Sequence, residues 1–262
     1  MKIENFLDTH GKIKNWPAKR EAKLAVLRYL GNHFTTGRFY SEKEVNGIIE
    51  EHHTFGDYFL LRRGMIDCGV LARTPDGARY WRTGLWSELN SVVTQRLTIS
   101  PAEASDYMEI KEIYLACSYV GEWVGSPHTE KSLAFMLDGS DLPPDGHQEF
   151  SHVAVLREIG SGEMAGIVQY YTAWPEGDCL WIGLFLLHPN RQHMGYGSEF
   201  ITALIAEARR QEYQKIGLGV ALRNQRGLKF WVKCGFDRIV KVRRDGESSE
   251  NSLGLLSLAM DL

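Results

Sequence analysis

The chain has 262 residues, 44% of them apolar, and a formal net charge of −3, which is long enough for two domains. It holds no run of about 18 apolar residues and starts Met-Lys-Ile-Glu-Asn without an apolar leader, so neither a membrane span nor a secreted protein is expected. Cys68, Cys117, Cys179 and Cys234 lie far apart with no Cys-x-x-Cys pair, which argues against a disulfide framework or zinc knuckle and for free thiols in the cytoplasm.

The first third reads as three helices and a hairpin. Leu24, Leu27, Leu30 and Phe34 form one apolar stripe, Ser41-x-x-Glu44 is a capping box opening a helix with Val45, Ile48 and Ile49, and Tyr58 to Ile66 makes a third helix. Pro75-Asp76-Gly77 is a turn between Val70–Arg73 and Ala78–Trp81. His52-His53 is the only histidine pair; adjacent helical residues diverge by about 100°, so a solvated helix end is expected there and no metal site.

Three helices and a two-stranded wing resemble a winged helix. Tyr40-Ser-Glu-Lys-Glu-Val-Asn46, Leu61-Arg-Arg63 and Asp76-Gly-x-x-Tyr-Trp81 resemble an uncharacterised bacterial domain, over residues 12–82. In a winged helix, Arg62 and Arg63 on the third helix and Arg73, Arg79 and Arg82 on the wing are where phosphate contacts are expected. Residues 1 to 83 hold 14 Lys+Arg against 10 Asp+Glu, a modest excess for a nucleic-acid binder. Arginines on solvated faces, or bridging to a neighbouring domain, are therefore the favoured reading over DNA binding.

A linker is expected over 83–93, and a second domain over 94–262. Residues 84 to 262 carry 16 Lys+Arg against 23 Asp+Glu. Thr94–Ile99 alternates as a first strand, Ser100-Pro101-Ala-Glu103 caps a helix running to about Ser118, and Thr129 to Leu137 suggests another. Phe150 to Arg157, Met164 to Thr172 and Cys179 to Leu187 follow as three adjacent strands, with turns at Gly160-Ser-Gly162 and Pro175-Glu-Gly177.

The apolar run Leu184–Leu187 then breaks at His188-Pro189 into Gln192-His193-Met194-Gly195-Tyr196-Gly197. Phe200, Ile201, Leu204 and Ile205 recur at helical spacing up to Arg209 and Arg210, which predicts a helix over about 196–210. The first N–H groups of such a helix have no partner within it and sit at its positive dipole end, a ready site for a diphosphate. Gly195 and Gly197 leave out Cβ atoms where the diphosphate approaches, so that the N–H groups of 193 to 197 converge on it. A second block follows: the strand Ile216-Gly-Leu-Gly-Val220, then Asn224, then Leu228-Lys-Phe230-Trp231-Val-Lys233-Cys234-Gly235-Phe236, a helix over 225–233 with a C-cap glycine. Strands near 236 to 243 and 253 to 260 close the sheet.

With Gly197 and Asn224 about 27 residues apart, the two blocks together resemble motifs A and B of the GNAT superfamily of N-acetyltransferases. The resemblance implies an α/β fold of the α+β kind, with a mixed, mostly antiparallel sheet flanked by helices. It implies that the Cys179 and Lys215 strands splay apart, with backbone near Phe185 and Leu187 holding a pantetheine arm. Gln192, His193, Met194, Gly195, Tyr196, Gly197 and Asn224 complete the acetyl-coenzyme A site. The implied reaction is direct attack of an amine on the acetyl thioester, with a backbone N–H of the Cys179–Leu187 strand on the oxyanion.

A base must free the amine of its proton; Glu122, Glu149 and Asp178 are the candidates. Trp123, Tyr170, Tyr171 and Trp174 are candidates to wall the acceptor pocket. Trp231 stands where many members carry a tyrosine that protonates the leaving thiolate; an indole N–H does not titrate usefully, and a thiol of pKa about 8.5 leaves readily as the anion.

The expected enzyme acetylates a primary amine of a small molecule, and the acidic second domain favours a cationic one. Acetyl-coenzyme A and that amine are the expected partners, with no metal and no membrane; a homodimer is left open. The second reading is a regulator that binds acyl-coenzyme A without turnover and whose N-terminal domain contacts DNA or a protein; Trp231 keeps it open.

Overall fold

The computed structural model describes residues 3–83, 92–123, 125, 127–244 and 254–262. The chain divides into two compact units, Met1–Leu89 and Asn90–Leu262. Most of the expected linker, and the first residue of the expected last strand, lie outside the described residues.

In the first unit α1 (Arg20–Gly31), α2 (Glu42–Glu51) and α3 (Tyr58–Asp67) precede an antiparallel hairpin of β1 (Leu71–Arg73) and β2 (Tyr80–Arg82), and Tyr40 bridges to Tyr80 beside it. The capping box forms: Ser41 Oγ accepts from the Glu44 N–H at 3.3 Å and Glu44 Oε2 accepts from the Ser41 N–H at 2.8 Å. The α1 stripe differs from expectation. Ala22, Val26, Leu27 and Leu30 are buried, Leu24 is only partly so, and the helix stops at Gly31, so that Phe34 enters the core from beyond its end. The i, i+4 row 22, 26, 30 is the face that meets the core.

Two further expectations are corrected here. The histidine pair is not a solvated helix end: His53 is 6% exposed with Nδ1 2.7 Å from the Ile49 carbonyl, and His52 stacks on His33 at 3.6 Å. Nor do all the arginines face outward. Arg62 pairs with Glu42 at 2.8 Å and donates to Asn46 Oδ1 at 2.6 Å, and its guanidinium holds the Glu42 carboxyl below the usual range. Arg82 is 7% exposed and donates to the Phe34 carbonyl at 3.3 Å and to Asn32 Oδ1 at 3.0 Å. A guanidinium drawn from solvent is kept where hydrogen bonds satisfy it, and these two, Arg62 partly and Arg82 fully buried, are used to close the unit.

The second unit is a mixed α/β layer structure built on one sheet. Among the described residues its strands are β3 (Val92–Val93), β4 (Leu97–Pro101), β5 (Ser151–Glu158), β6 (Met164–Thr172), β7 (Cys179–Leu187), β8 (Lys215–Ala221), β9 (Arg238–Arg244) and β10 (Gly254–Asp261), in the order β3-β4-β5-β6-β7-β8-β10-β9. All neighbours are antiparallel except β7 and β8. The helices are α4 (Tyr107–Ala116), the short α5 (Tyr119–Glu122), α6 (Glu130–Leu137), α7 (Tyr196–Arg210) and α8 (Gln225–Lys233).

Side chains alternate across a strand, and β7 shows which helix covers which face. Leu184 and Leu186 join a cluster with Ile110, Ile113 and Leu133 of α4 and α6. Phe185 between them turns the other way, 4.8 Å from the Phe200 ring of α7 and 6.1 Å from Trp231 of α8.

Two predicted stretches differ. Thr94–Ile99 is not one strand: the Thr94 hydroxyl accepts from the Leu97 N–H at 2.9 Å, and the chain turns back between β3 and β4. Ser100-Pro101 belongs to β4, and the helix entry is set instead by Glu103, whose N–H donates to Asp106 at 2.8 Å before a 3₁₀ turn leads into α4.

On β5, His152 stacks against Tyr170 at 5.1 Å, and its Nε2 is enclosed without a hydrogen-bond partner. Burial of the charged form pushes its pKa down to about 4. The unfolded chain therefore takes up a proton below about pH 6.5 that the folded unit refuses, and stability falls as pH drops from there toward 4. His152→Leu should flatten the dependence of the melting temperature on pH across that window; an unchanged slope would mean that His152 does not carry it.

Candidate functional site

The parallel register of β7 and β8 runs only over Cys179–Ile182 and Lys215–Leu218. Beyond Ile182 the strands part, and a cleft of about 1550 Å³ lies there. Phe185, Leu187, Gln192, His193, Gly195, Gly197 and Asn224 line it; Met194 and Tyr196 do not, whereas Ser198, which sequence reasoning passed over, does.

A 3₁₀ turn at Pro189–Arg191 brings the chain round from β7, and His193 (φ 63°) and Gly195 (φ 86°) both adopt the left-handed conformation just before α7. Residues 193 to 195 are exposed, so the loop presents backbone to the cleft. Gln192 ties it to the sheet, with Nε2 donating to the Leu187 carbonyl at 3.1 Å and to Tyr119 Oη at 3.2 Å. Two ionic clusters brace its back. Arg96 pairs with Glu199 at 2.7 Å, donates to the Met194 carbonyl at 2.9 Å and lies 4.3 Å from the Tyr196 ring centre. Arg191 pairs with Glu158 at 3.0 Å, and Tyr196 Oη donates to Glu158, whose carboxyl these two partners hold below its usual range. Tyr196 thus holds the loop from behind.

The two glycines do different work. Gly195 is there for its positive φ. A Cβ at Gly197 would meet the Phe230 ring at 3.1 Å, so that glycine, which also lines the cleft, lets α7 pack on α8. Asn224 caps α8 through a 2.7 Å bond from the Gly227 N–H to Oδ1. Trp231 is buried against Phe185, Phe230 and Phe236 and lines the cleft as a wall.

The pairing of β6 with β7 jumps from Gln169↔Leu184 to Tyr170↔Ile182, leaving Gly183 as the extra residue of a bulge at the point where β8 departs. A bulged residue is left out of the ladder, and Gly183 faces the cleft. On the α4 and α6 side of this point stand Gln169, Tyr171, Trp174 and Trp181. The Cys117 thiol also lines the cleft, donates to the Leu187 carbonyl at 3.4 Å and is pushed up by burial to about 11, so it stays protonated.

None of the three carboxylates expected as a base lines the cleft. Glu122 is exposed on α5, whose flanking Gly121 and Trp123 face inward in its place. Glu149 sits on a 3₁₀ turn anchored by the buried Phe150. Asp178 is exposed at the paired end of β7, where its carbonyl accepts from the Gln214 N–H at 2.9 Å, away from the splay. The one carboxylate among the described lining residues is Asp141, in an irregular segment with no pattern to mark it. Arg226, Lys229 and Lys233 of α8, with Lys241 and Arg243 of β9, line the cleft as well, and none pairs with an acid among the described residues. The i, i+3, i+7 spacing of the α8 cations was a readable sign of a charged helix face.

The profile of the acetyltransferase (GNAT) family matches residues 107–236. The profile of an uncharacterized protein conserved in bacteria (DUF2087) matches residues 12–82. None of the curated proteins matches. Among solved structures, the chain is similar to one described as a probable acetyltransferase of the GNAT family from Chromobacterium violaceum, at 14% identity over 69% of this chain and 90% of that one, with a TM-score of 0.54. It is similar to an acetyltransferase from Thermus thermophilus at 20% identity over 66% and 99%, with a TM-score of 0.50. A GNAT family acetyltransferase from Elizabethkingia anophelis with acetyl-coenzyme A bound is similar at 17% identity over 64% and 99%, with a TM-score of 0.46. At these identities the first two likenesses are of fold.

Proposed function

Since residues 107–236 form the matched part of a GNAT acetyltransferase domain, we infer that the second unit transfers an acetyl group from acetyl-coenzyme A to the primary amine of a small molecule. The observation that carries this reading is the joining of two features in one cleft: a braced loop of bare backbone at the positive end of α7, and a slot where β7 and β8 part. The first suits a diphosphate. The second suits an extended pantetheine arm, which pairs with strand backbone that has lost its neighbour.

The lining fits the co-substrate in charge as well. Its cations, Arg226, Lys229, Lys233, Lys241 and Arg243, complement phosphate groups. Phe185 and Leu187 hold the arm, with Gln192, His193, Gly195 and Gly197 at the diphosphate and Asn224 keeping the start of α8 in place. Tyr196 and Met194 support the loop from outside the cleft.

The chemistry is direct transfer. The amine loses a proton, its nitrogen bonds to the thioester carbonyl carbon, the C–S bond breaks, and the N–H of the bulge at Gly183 is the strand donor best placed for the oxyanion. Trp231 supplies no proton to the departing sulfur; water does. The N-terminal unit is not read as a DNA binder, since Arg62 and Arg82 are committed to bonds within it. The domains proposed are 12–82 and 94–262, and a cytoplasmic setting suits the co-substrate.

Titration of the purified full chain with acetyl-coenzyme A, followed by thiol release with a panel of amines, tests the reading. Micromolar binding that weakens with added salt, with amine-dependent release, is expected. Binding without release from any amine would favour the acyl-coenzyme A sensor, and absence of binding would sink both.

A further inference from the structure

We propose that Asp141 selects the acceptor: its carboxylate holds the ammonium group of a monocationic amine whose apolar or aromatic body lies against Trp174, Trp181 and Tyr171. This rests on the acetyltransferase reading above and names its substrate class.

The argument starts from charge. Asp141 is the one carboxylate among the described residues that line the cleft, and it stands on the side away from α8, beside Gln169. Gln169 and Tyr171 project from the same face of β6, and Trp181 is the register partner of Tyr171 on β7. An amine entering beside these residues meets Asp141, exposed to the cleft, as the one carboxylate of the described lining, while the charge of Glu149 acts on Tyr171 from outside that lining.

Position comes next. Gln169 is 7% exposed, and its Nε2 donates to Asp141 Oδ2 at 3.3 Å, while its Oε1 lies 3.3 Å from where a Cβ on Gly183 would sit. One side-chain amide therefore spans the gap between the carboxylate and the bulge. An ammonium held at Asp141 is within a short reorientation of the bulge, where the thioester carbonyl is proposed to lie. Its proton leaves to water through the open cleft. After the C–N bond forms and the C–S bond breaks, the second proton goes by way of water to the thiolate.

Shape completes the class. Trp174 and Trp181 meet edge to face at 4.7 Å, and with the edge of the largely buried Tyr171 ring, two residues along β6 from Gln169, they offer apolar surface and π-faces on the same side of the cleft as the carboxylate. A carboxylate carried next to the amine, as in a free amino acid, meets Asp141 with like charge. A second ammonium, as in a diamine, finds no second acid among the described lining residues. An arylalkyl monoamine satisfies every group present.

The test is calorimetric titration of the full chain, saturated with coenzyme A, with 2-phenylethylamine, phenylalanine and 1,4-diaminobutane. The wild-type protein should bind 2-phenylethylamine at least tenfold more tightly than either of the others. Asp141→Asn should lose that preference while coenzyme A affinity and melting temperature stay unchanged, and Asp141→Glu should keep most of it. No binding of 2-phenylethylamine, a preference for the diamine or the amino acid, or equal selectivity in Asp141→Asn overturns the proposal. If some other amine still drives thiol release from acetyl-coenzyme A, the acetyltransferase reading survives that result; if acetyl-coenzyme A itself does not bind, that reading fails on its own account.

Discussion

Gly195→Val should weaken acetyl-coenzyme A binding about a hundredfold, equivalent to about 2.7 kcal/mol, while the protein stays folded. Gly195 has φ 86° and is the residue before the first turn of α7. A β-branched residue is a steric outlier there, at a cost of about 1–2 kcal/mol. Because residues 193 to 195 are exposed, the loop can relieve that strain by rotating a peptide plane instead of unfolding. The relief turns an N–H away from the cleft, and an anion site built from backbone loses its donor. The melting temperature should fall by only about 2–4 °C, as about 1 kcal/mol does in a unit of this size. Calorimetry on both proteins separates the two effects, and an unchanged affinity would mean that the phosphates do not rest on this loop.

Gly166→Ala should act in the opposite proportion. A Cβ at Gly166 of β6 would lie 2.6 Å from the Leu186 carbonyl oxygen and 2.8 Å from Leu187 Cδ2. The obstacle is backbone held in a ladder, so no rotamer change removes it. Overpacking of this kind costs about 3 kcal/mol, or a fall in melting temperature of roughly 6–12 °C for this unit. The damage also reaches the site, since the Leu187 carbonyl accepts from Gln192 and from Cys117. A fall under about 2 °C in differential scanning calorimetry would show that the strands can separate there at little cost.

Some of this architecture can be read from the sequence because punctuation and periodicity agree. Met164–Thr172, Cys179–Leu187, Tyr196–Arg210 and Gln225–Lys233 each begin within two residues of a glycine or of the capping Asn224. The turn after Val93 was hidden because it depends on one hydroxyl, that of Thr94, capturing a nearby N–H within an otherwise alternating stretch. The roles of Arg62 and Arg82 were hidden for a related reason: their partners lie 16 to 50 residues away.

The cleft was legible in unequal parts. Gln192 and Gly195 carry conformational demands that show as residue types. The function of Gly197 depends on the Phe230 ring across a helix pair, and only packing reveals it. Asp141 lies in a segment with no period at all, whereas Glu122, Glu149 and Asp178 attracted notice by sitting next to regular elements and do not line the cleft.

Four residue pairs, Cys179 to Ile182 against Lys215 to Leu218, are all that stitches the two halves of the sheet by ladder bonds. The central pairs on either side of it are longer: β5 with β6, β6 with β7, and β8 with β10 each run over seven positions. Away from the two-pair β3 edge, the seam is therefore where the sheet breathes first, and amides of β8 should exchange with solvent ahead of those in β6. A ligand threaded through the slot clips both lips of that seam together, so occupancy and rigidity rise as one. The opening that admits a co-substrate is also the weakest line in the middle of the sheet, and that sheet is at its firmest when it is loaded.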